Sequence, residues 1–211
     1  MGMNRNEIKV IPLKMEDAKK AADVVARAFF TYPSLCAYFP EEKSRAWKLP
    51  WYMEHTLKSA LRYGEVLTTD DGSGVLFLLP PGHTRLTDLD YVKSGFLFAP
   101  LVVGLRQYAL VSTSEAFLAD TQERLLAGRA HYYLWGIAID PARQRTGAGT
   151  ALLKAMFDRA DQETMPIYLE THREANVTYY EQRGFRLIET GTMPGDDLPV
   201  WCMLREPQAK V

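Results

Sequence analysis

The sequence has little cysteine, little histidine and no excess of charge of either sign. Among 211 residues only Cys36 and Cys202 are cysteines, which argues against a disulfide-stapled secreted scaffold, and we expect both thiols to be buried. The four histidines show no paired spacing, so no metal site is predicted. Lys and Arg total 25 and Asp and Glu total 26, a net charge of −1. The basic field of a general nucleic-acid binder is therefore missing.

A long hydrophobic run is also missing. Residues 95–111 are the most apolar stretch, but it is shorter than the roughly 20 residues of a membrane span and contains Pro100, Gly104 and Arg106. It is expected to be a buried or pocket-lining helical insert. Residues 1–9 lack the apolar core of a signal peptide, and Met3 is compatible with Met1 and Gly2 being an added remnant. These absences predict a cytoplasmic protein without a membrane partner.

The chain length and the hydrophobic periodicity predict one α/β domain. At roughly 150 residues per domain, residues 1–211 are expected to form a single unit. Helical periodicity is predicted for residues 18–29, 41–63 (with a break or restart at Pro50), 147–163 and 175–183, and for an insertion over 83–129. Strands are predicted for residues 8–13, 65–69, 75–79, 132–139, 167–171, 186–189 and 200–205.

A glycine pair follows one of the predicted strands and opens a predicted helix. Gly147 and Gly149 lie where the first turn of that helix has unpaired N–H groups and the positive end of its dipole. Such a turn binds phosphate through the backbone. The alternative is that the glycines only permit a tight strand-to-helix turn. Neither the Lys-containing phosphate loop of nucleotide triphosphatases nor the glycine triplet of dinucleotide-binding proteins is present.

Two motifs in this region resemble the GNAT superfamily of N-acetyltransferases. Gln144-x-x-Gly147-x-Gly149, after a strand that ends in Ile-Asp-Pro, resembles the family's loop for the pyrophosphate of acyl-CoA. The second motif consists of Leu169-Glu170-Thr171, Asn176 and residues 179–185. The C-terminal segment and residues 74–82 look like the puromycin N-acetyltransferase-like branch.

The resemblance implies a mixed, mostly antiparallel central sheet with helices on both faces. It implies a CoA-binding core over about 131–207 and an acceptor-side helical insertion over about 83–129. Acetyl-CoA is implied as cosubstrate, without a metal. The implied cofactor-binding residues are Ile137, Ala138, Ile139, Gln144, Arg145, Thr146, Gly147, Ala148, Gly149, Thr150, Asn176, Tyr179 and Tyr180. The family often has Gly and a basic residue where this chain has Arg145 and Thr146, so the side chain that meets the phosphates stays open.

The reaction that the resemblance implies needs three helpers. An amine attacks a thioester. The transfer is helped by a hydrogen-bond donor to the oxyanion, an acid that protonates the leaving thiolate and a base that deprotonates the incoming ammonium. Tyr180 matches the family's acid, and the alternative is a buried aromatic anchor. Glu170, near the end of a buried strand, is the candidate base, and the alternative is a carboxylate paired with an arginine. His172 could share that role or be a surface residue, and Asn176 could contact CoA or cap a helix.

The acceptor side is the least defined part of the sequence. Tyr32, Phe39, Trp135 and Trp201 either line a pocket for a flat or apolar amine or belong to the core. We predict an acetyl-CoA-dependent N-acetyltransferase that acts on a small-molecule amine by direct attack in a ternary complex. The alternatives are a non-catalytic CoA-binding sensor and a protein N-acetyltransferase. Whether puromycin is accepted, and whether the protein is a monomer or a homodimer, stay open.

Overall fold

A single seven-stranded sheet organises the computed structural model, which describes residues 8–195 and 197–209. The expectation of a remnant at Met1 and Gly2 lies outside the described residues, as does most of the segment for which no signal peptide was predicted. The strand order is β1-β2-β3-β4-β5-β7-β6, and every neighbouring pair is antiparallel except β4 and β5. The strands are β1 (Val10–Pro12), β2 (Glu65–Thr69), β3 (Gly74–Leu79), β4 (Tyr132–Ile139), β5 (Ile167–Thr171), β6 (Phe185–Thr192) and β7 (Pro199–Arg205).

Helices cover both faces of this sheet. They are α1 (Ala18–Phe29), α2 (Pro33–Tyr38), α3 (Glu42–Tyr63), α4 (Asp88–Lys93), α5 (Ala99–Val103), α6 (Leu105–Leu126), α7 (Ala148–Gln162) and α8 (Glu174–Glu181). Side chains alternate along a strand, so Val75 and Phe77 of β3 pack with α1 and α3, while Leu76 and Leu78 pack with α7. Helix α6 covers Tyr168 of β5, on the face opposite to α7 and α8. The predicted mixed, mostly antiparallel fold is confirmed.

The predicted break at Pro50 is wrong, because α3 continues through it from Glu42 to Tyr63. A proline inside a helix removes one backbone hydrogen bond and costs about 3 kcal/mol. Burial of the same helix face on both sides of Pro50 offsets that cost: Leu49 and Leu57 are completely buried and Met53 nearly so. Tertiary packing therefore overrides the local signal.

Two smaller expectations also need correction. Cys36 is only partly buried, unlike Cys202. It lies on the short helix α2, which the periodicity did not predict. The strand predicted for residues 186–189 extends over Phe185–Thr192, since its ladder with β7 continues to the pair Thr192–Pro199. Both differences come from pairing and packing with distant segments.

The insertion over residues 83–129 is helical, as predicted, but its apolar residues are not uniformly buried. Gly95 and Gly104 have φ angles of 105° and 99°, and these left-handed residues separate α4, α5 and α6. Val103 is buried, whereas Leu101 is 82% exposed. Within the described residues, no helix is long and apolar enough to cross a bilayer.

Strands β4 and β5 diverge soon after they meet. Only Tyr132 and Tyr133 of β4 pair with β5, opposite Ile167 and Tyr168, while β3 accompanies β4 along its whole remaining length. The β3–β4 register shifts between Phe77 and Leu78, which leaves Trp135 without an opposite residue. Such a bulge bends the strand. Beyond Tyr133, one edge of β4 therefore faces an opening instead of a neighbouring strand.

Gly136, next to the bulge, is required by the close approach of a ring. A Cβ atom at this position would lie 2.3 Å from the buried ring of Phe77. We expect Gly136→Ala to lower the free energy of unfolding by roughly 1–3 kcal/mol, since overpacking forces the ring to move. Urea unfolding measures the loss. The control is Gly191→Ala, where the nearest atom would be at an ordinary 3.5 Å. Equal losses in both variants would contradict this account of the bulge.

Candidate active site

The opening between β4 and β5 forms a cavity of about 140 Å³, here called the cleft cavity. Its walls include residues 134–137 of β4, residues 169–171 at the end of β5, and side chains from α1, α3, α6 and α8. The backbone N–H and C=O groups on the free edge of β4 have no strand to pair with, so they are available to an extended ligand. Of the predicted backbone contacts, Ile137 lines this cavity, while Ala138 is buried against α1 and α3.

The loop between β4 and α7 leads from the cleft to a helix N-terminus. Asp140 fixes its start, because one carboxylate oxygen accepts a hydrogen bond from the N–H of Ala142 at 3.0 Å and the other pairs with Arg27 at 2.5 Å. Gly147 precedes α7 with a φ of 100°, and no side chain caps the helix there. Residues 141–147 are exposed. The first-turn N–H groups of α7 are thus not occupied by a capping side chain, and anion binding there stays a prediction.

The side chains of this loop differ in their freedom to meet an anion. Arg143 pairs with Asp71 at 2.9 Å, and the hydroxyl of Thr146 donates to the carbonyl oxygen of Arg143 at 2.7 Å. Arg145 forms no ion pair in the described part of the chain. It is therefore the basic side chain of the loop that stays available, while Gln144 is exposed beside it.

The first turn of α7 lies against the end of β4. A Cβ at Gly149 would be 3.5 Å from Ile139 and 3.6 Å from the Tyr179 hydroxyl, so the glycine brings these groups close. Ala148 is buried and Thr150 is exposed. The guanidinium of Arg183 lies 3.5 Å above the Tyr179 ring. Tyr179 therefore borders the helix N-terminus, whereas the next residue, Tyr180, points to another part of the site.

Tyr180 lines the cleft cavity from α8. It is 8% exposed, and burial raises the pKa of its hydroxyl well above the ordinary 10. The phenol therefore stays protonated over the physiological pH range and can donate a hydrogen bond into the cleft. Its ring packs against Tyr179 and Phe185 at 5.3 and 5.4 Å between centroids. Both the anchoring and the proton-donating interpretations of Tyr180 are compatible with this geometry.

A hydrogen-bonded cluster fixes the end of β5 beside the cleft. The Tyr32 hydroxyl lies 3.0 Å from the Thr171 hydroxyl and accepts a hydrogen bond from the N–H of His172 at 2.9 Å. The Asn176 side-chain amide donates to Thr171 at 2.9 Å, so it holds the strand end instead of capping α8. His172 is 8% exposed and its Nδ1 donates to the carbonyl oxygen of Pro199 at 3.0 Å, so the surface position considered for it is wrong.

A second cavity, of about 230 Å³, lies beneath the insertion and is here called the insert cavity. Its walls combine helices α4–α6 with aromatic side chains of the core. The aromatic residues are Tyr52, Tyr91, Phe96, Tyr108, Tyr133 and Trp135. Of the four aromatics considered for an acceptor pocket, Trp135 lines both cavities and Tyr32 lines the cleft cavity, whereas Phe39 and Trp201 line neither.

Two carboxylates lie where the cavities meet, because Glu115 and Glu170 line both of them. Burial raises the pKa of Glu170 to about 8, against the opposing effect of the Tyr133 and Tyr168 hydroxyls. Burial also raises the pKa of Glu115 to about 7. Neither forms an ion pair with a basic side chain of the described residues, so the arginine-paired alternative for Glu170 is wrong. Glu170 can exchange a proton near neutral pH.

Glu115 is the residue that the sequence reasoning missed. It follows Val111 by four positions and precedes Leu118 by three, so it interrupts the inward-facing stripe of α6. A charged residue within an otherwise apolar, inward-facing stripe indicates a functional group, and this signal is visible in the sequence. Its proximity to Glu170 depends on how the insertion lies over the sheet. No group of three or more metal-ligating side chains occurs among residues 8–195 and 197–209.

The comparisons with known proteins point to acetyltransferases. A family model described as the GNAT family of acetyltransferases matches residues 98–185. An uncharacterised N-acetyltransferase of Schizosaccharomyces pombe is 26% identical over 206 residues, which covers 94% of this chain and 83% of that protein.

Solved structures share the fold. One is described as histone acetyltransferase HPA2 and related acetyltransferase from Corynebacterium glutamicum, with a TM-score of 0.65, 20% identity, and coverage of 97% of this chain and 98% of that one. Another is arylalkylamine N-acetyltransferase 2 from Aedes aegypti, with a TM-score of 0.62, 11% identity, and coverage of 96% and 100%. At these identities the likeness shows the fold alone.

The pKa of Glu115 predicts how stability depends on pH. Below the ordinary value of 4.5 the carboxyl is protonated in both states; as pH rises towards about 7, the unfolded chain loses the proton first. The free energy of unfolding therefore falls over this window and stays lower above it. Glu115→Gln removes that loss and should be about 1–3 kcal/mol more stable than the wild type at about pH 8, with little difference at about pH 4.5.

Urea unfolding at both pH values tests this expectation. Glu181→Gln is the matched control, since it makes the same change on a helix at an exposed side chain that forms no ion pair among the described residues. A stability difference for Glu115→Gln that does not grow with pH would refute the assignment of Glu115 as a desolvated carboxyl.

Proposed function

We propose that this chain, which the family match and the relative support as an acetyltransferase of the GNAT superfamily, transfers acetyl from acetyl-CoA to a small-molecule amine. One observation carries the proposal. The cleft cavity is lined by the end of β4, from which a loop leads to the uncapped N-terminus of α7, and it shares Glu115, Glu170 and Trp135 with a second, aromatic cavity. A phosphate-bearing cosubstrate on the α7 side and an amine in the second cavity can thus meet at these shared residues.

The residues of the cleft fit a CoA thioester, which supplies an activated acetyl group when bound. The N–H groups at the start of α7, after Gly147, suit a pyrophosphate, with Arg145 as the accompanying cation. The free edge of β4 around Ile137 offers backbone partners to an extended pantetheine arm. Asn176 acts through Thr171, whose position it fixes at the cleft wall.

Two side chains of the cleft suit the proton movements of the transfer. An amine in water is mostly protonated, so it must lose a proton before it attacks. Glu170, with its pKa raised to about 8, accepts that proton. Tyr180 remains protonated and donates a hydrogen bond to the sulfur that leaves. Both side chains border the cleft cavity, so direct attack in a ternary complex needs no covalent intermediate on the protein.

A small acceptor is favoured over a protein because the insertion covers the second cavity. Helices α4, α5 and α6 contribute most of its wall, and a protein substrate would need an open groove. The aromatic lining suits an amine with an apolar body. Resemblance to the puromycin N-acetyltransferase-like branch makes puromycin one candidate among several. A cytoplasmic location also remains part of the proposal.

Thiol release from acetyl-CoA tests the function directly. The acceptors are puromycin, aromatic amines, polyamines, amino acids and a peptide with a free N-terminus. We expect release with at least one small amine and none with the peptide. CoA binding without turnover on any amine would favour the sensor alternative, and turnover on the peptide alone would favour a protein substrate.

Gly147→Glu tests the helix N-terminus. The added bulk and negative charge should abolish CoA binding, whereas CoA at ~100 times its Kd should stabilise the wild type by about 2.7 kcal/mol. Thermal unfolding with and without CoA measures this. Gly128→Glu is the control, because that glycine also has a positive φ, 78°, with open space around it. Undiminished stabilisation of Gly147→Glu by CoA would contradict the assignment.

Tyr180→Phe separates the proton donor from the aromatic anchor. The ring and its packing remain, but the hydroxyl is lost. If the hydroxyl assists the departing sulfur, kcat should fall by roughly 10²- to 10⁴-fold while KM for acetyl-CoA changes far less. Steady-state kinetics with an accepted amine provide the measurement, and unfolding of both forms checks stability. An unchanged kcat would assign Tyr180 a packing role.

A further inference from the structure

We propose that Glu115 recognises the acceptor, and that its carboxylate binds the ammonium group of an arylalkylamine that carries an oxygen on its ring. The proposal rests on the proposed function for the identity of the site and goes beyond it in naming the substrate class and the residue that selects it. Glu115 belongs to the insertion, whereas Glu170 belongs to the sheet. The two carboxylates therefore approach the junction of the cavities from different elements.

The charges around the insert cavity favour a cation from outside the protein. Its lining carries the carboxylates of Glu115, Glu170 and Asp88, and Arg85 is the arginine in it. Arg85 is already held by Asp120 at 2.8 Å and Glu123 at 3.0 Å. A desolvated carboxylate without a counterion is unfavourable. An ammonium group would supply that counterion through a charge-assisted hydrogen bond.

The walls of the cavity define the body of the ligand. Tyr91, Phe96 and Trp135 present apolar surface to it, and aromatic faces also attract a cation. A free carboxylate on the ligand would lie close to Glu115 and Glu170 and be repelled. Aromatic amines are therefore favoured over amino acids with the same ring.

Gln122 independently indicates that a ligand fills this cavity. It is 2% exposed, lines the insert cavity, and its Nε2 has no hydrogen-bond partner among the described residues. A buried donor without a partner is costly, and such groups require an explanation. Gln122 lies seven residues beyond Glu115, about 10 Å farther along α6. Because Glu115 borders the junction and Gln122 only the insert cavity, the free donor suits an oxygen at the far end of the ligand.

Tyramine and two analogues form the matched set of probes. In tyrosol a hydroxyl replaces the ammonium group of tyramine. Tyrosine keeps the ammonium group and carries an additional carboxylate beside it. Isothermal titration with and without CoA should show that tyramine binds the wild type at least tenfold more tightly than either analogue. This comparison needs no variant, so it does not depend on how a substitution folds.

The variants assign the recognition to Glu115. We expect Glu115→Gln to raise the Kd for tyramine roughly tenfold to hundredfold, the range for a lost charged hydrogen bond. KM for tyramine should rise in parallel, and kcat should stay within about fivefold because Glu170 and Tyr180 are retained. Glu181→Gln, at an exposed side chain of α8 that lines neither cavity and forms no ion pair among the described residues, should bind tyramine like the wild type. Circular dichroism verifies that each variant is folded.

The outcomes separate this inference from the proposed function. An unchanged Kd in Glu115→Gln, equal binding of tyrosol and tyramine, or no binding of tyramine to the wild type each overturns the role of Glu115. CoA binding and thiol release with other amines would then leave the acetyltransferase proposal standing. Tyramine binding that depends on Glu115, without CoA binding or thiol release, would support the recognition site and refute the proposed activity.

Discussion

The divergence of β4 from β5 is the constraint on which the rest of the site depends. Two residue pairs hold these strands together, and beyond them the backbone of β4 has a partner on one side only. Unpaired backbone groups inside a protein need another partner. The bulge at Trp135 and the absence of a side chain at Gly136 allow β4 to bend while β3 still accompanies it. Strand β4 thus stays paired with β3 along one edge and offers a binding surface along the other.

The carboxylates at the junction place a different demand on the fold. Glu115 and Glu170 are held away from water without basic partners, so their ionised forms weaken the folded state at neutral and higher pH. The Arg205–Asp161 pair, elsewhere in the molecule, is buried with both hydrogen bonds made, at 2.7 and 2.8 Å. The contrast is between two opposite charges that neutralise each other and two carboxylates without a basic partner among the described residues. Carboxylates with pKa values raised in this way cluster at functional sites.

The sequence predicted those parts of the molecule that depend on local chemistry. The turn at Gly147, the strands and the insertion each have a periodicity or a turn residue of their own. The continuity of α3 through Pro50 could not be predicted, because it depends on packing along the whole helix face. The bulge at Trp135 depends on the register with β3. The meeting of Glu115 with Glu170 joins segments 55 positions apart, and only the course of the insertion over the sheet brings them together.

The same contrast between local and long-range determinants distinguishes the two halves of the site, the cleft cavity and the insert cavity. The cleft cavity and the loop before α7 are built mainly from sheet backbone and a helix terminus, which constrain the chain tightly. The insert cavity is walled by the short helices α4 and α5 and by the longer α6, which are separated at Gly95 and Gly104, with Leu101 and Leu105 exposed on their outer side. Exposed and cavity-lining side chains on these helices can change with less effect on the sheet than buried ones such as Leu118 and Leu126, which pack against Tyr168. The insert cavity can therefore vary while the cleft persists, and the proposed acceptor has to be argued from residues such as Glu115 and Gln122 and not from the fold.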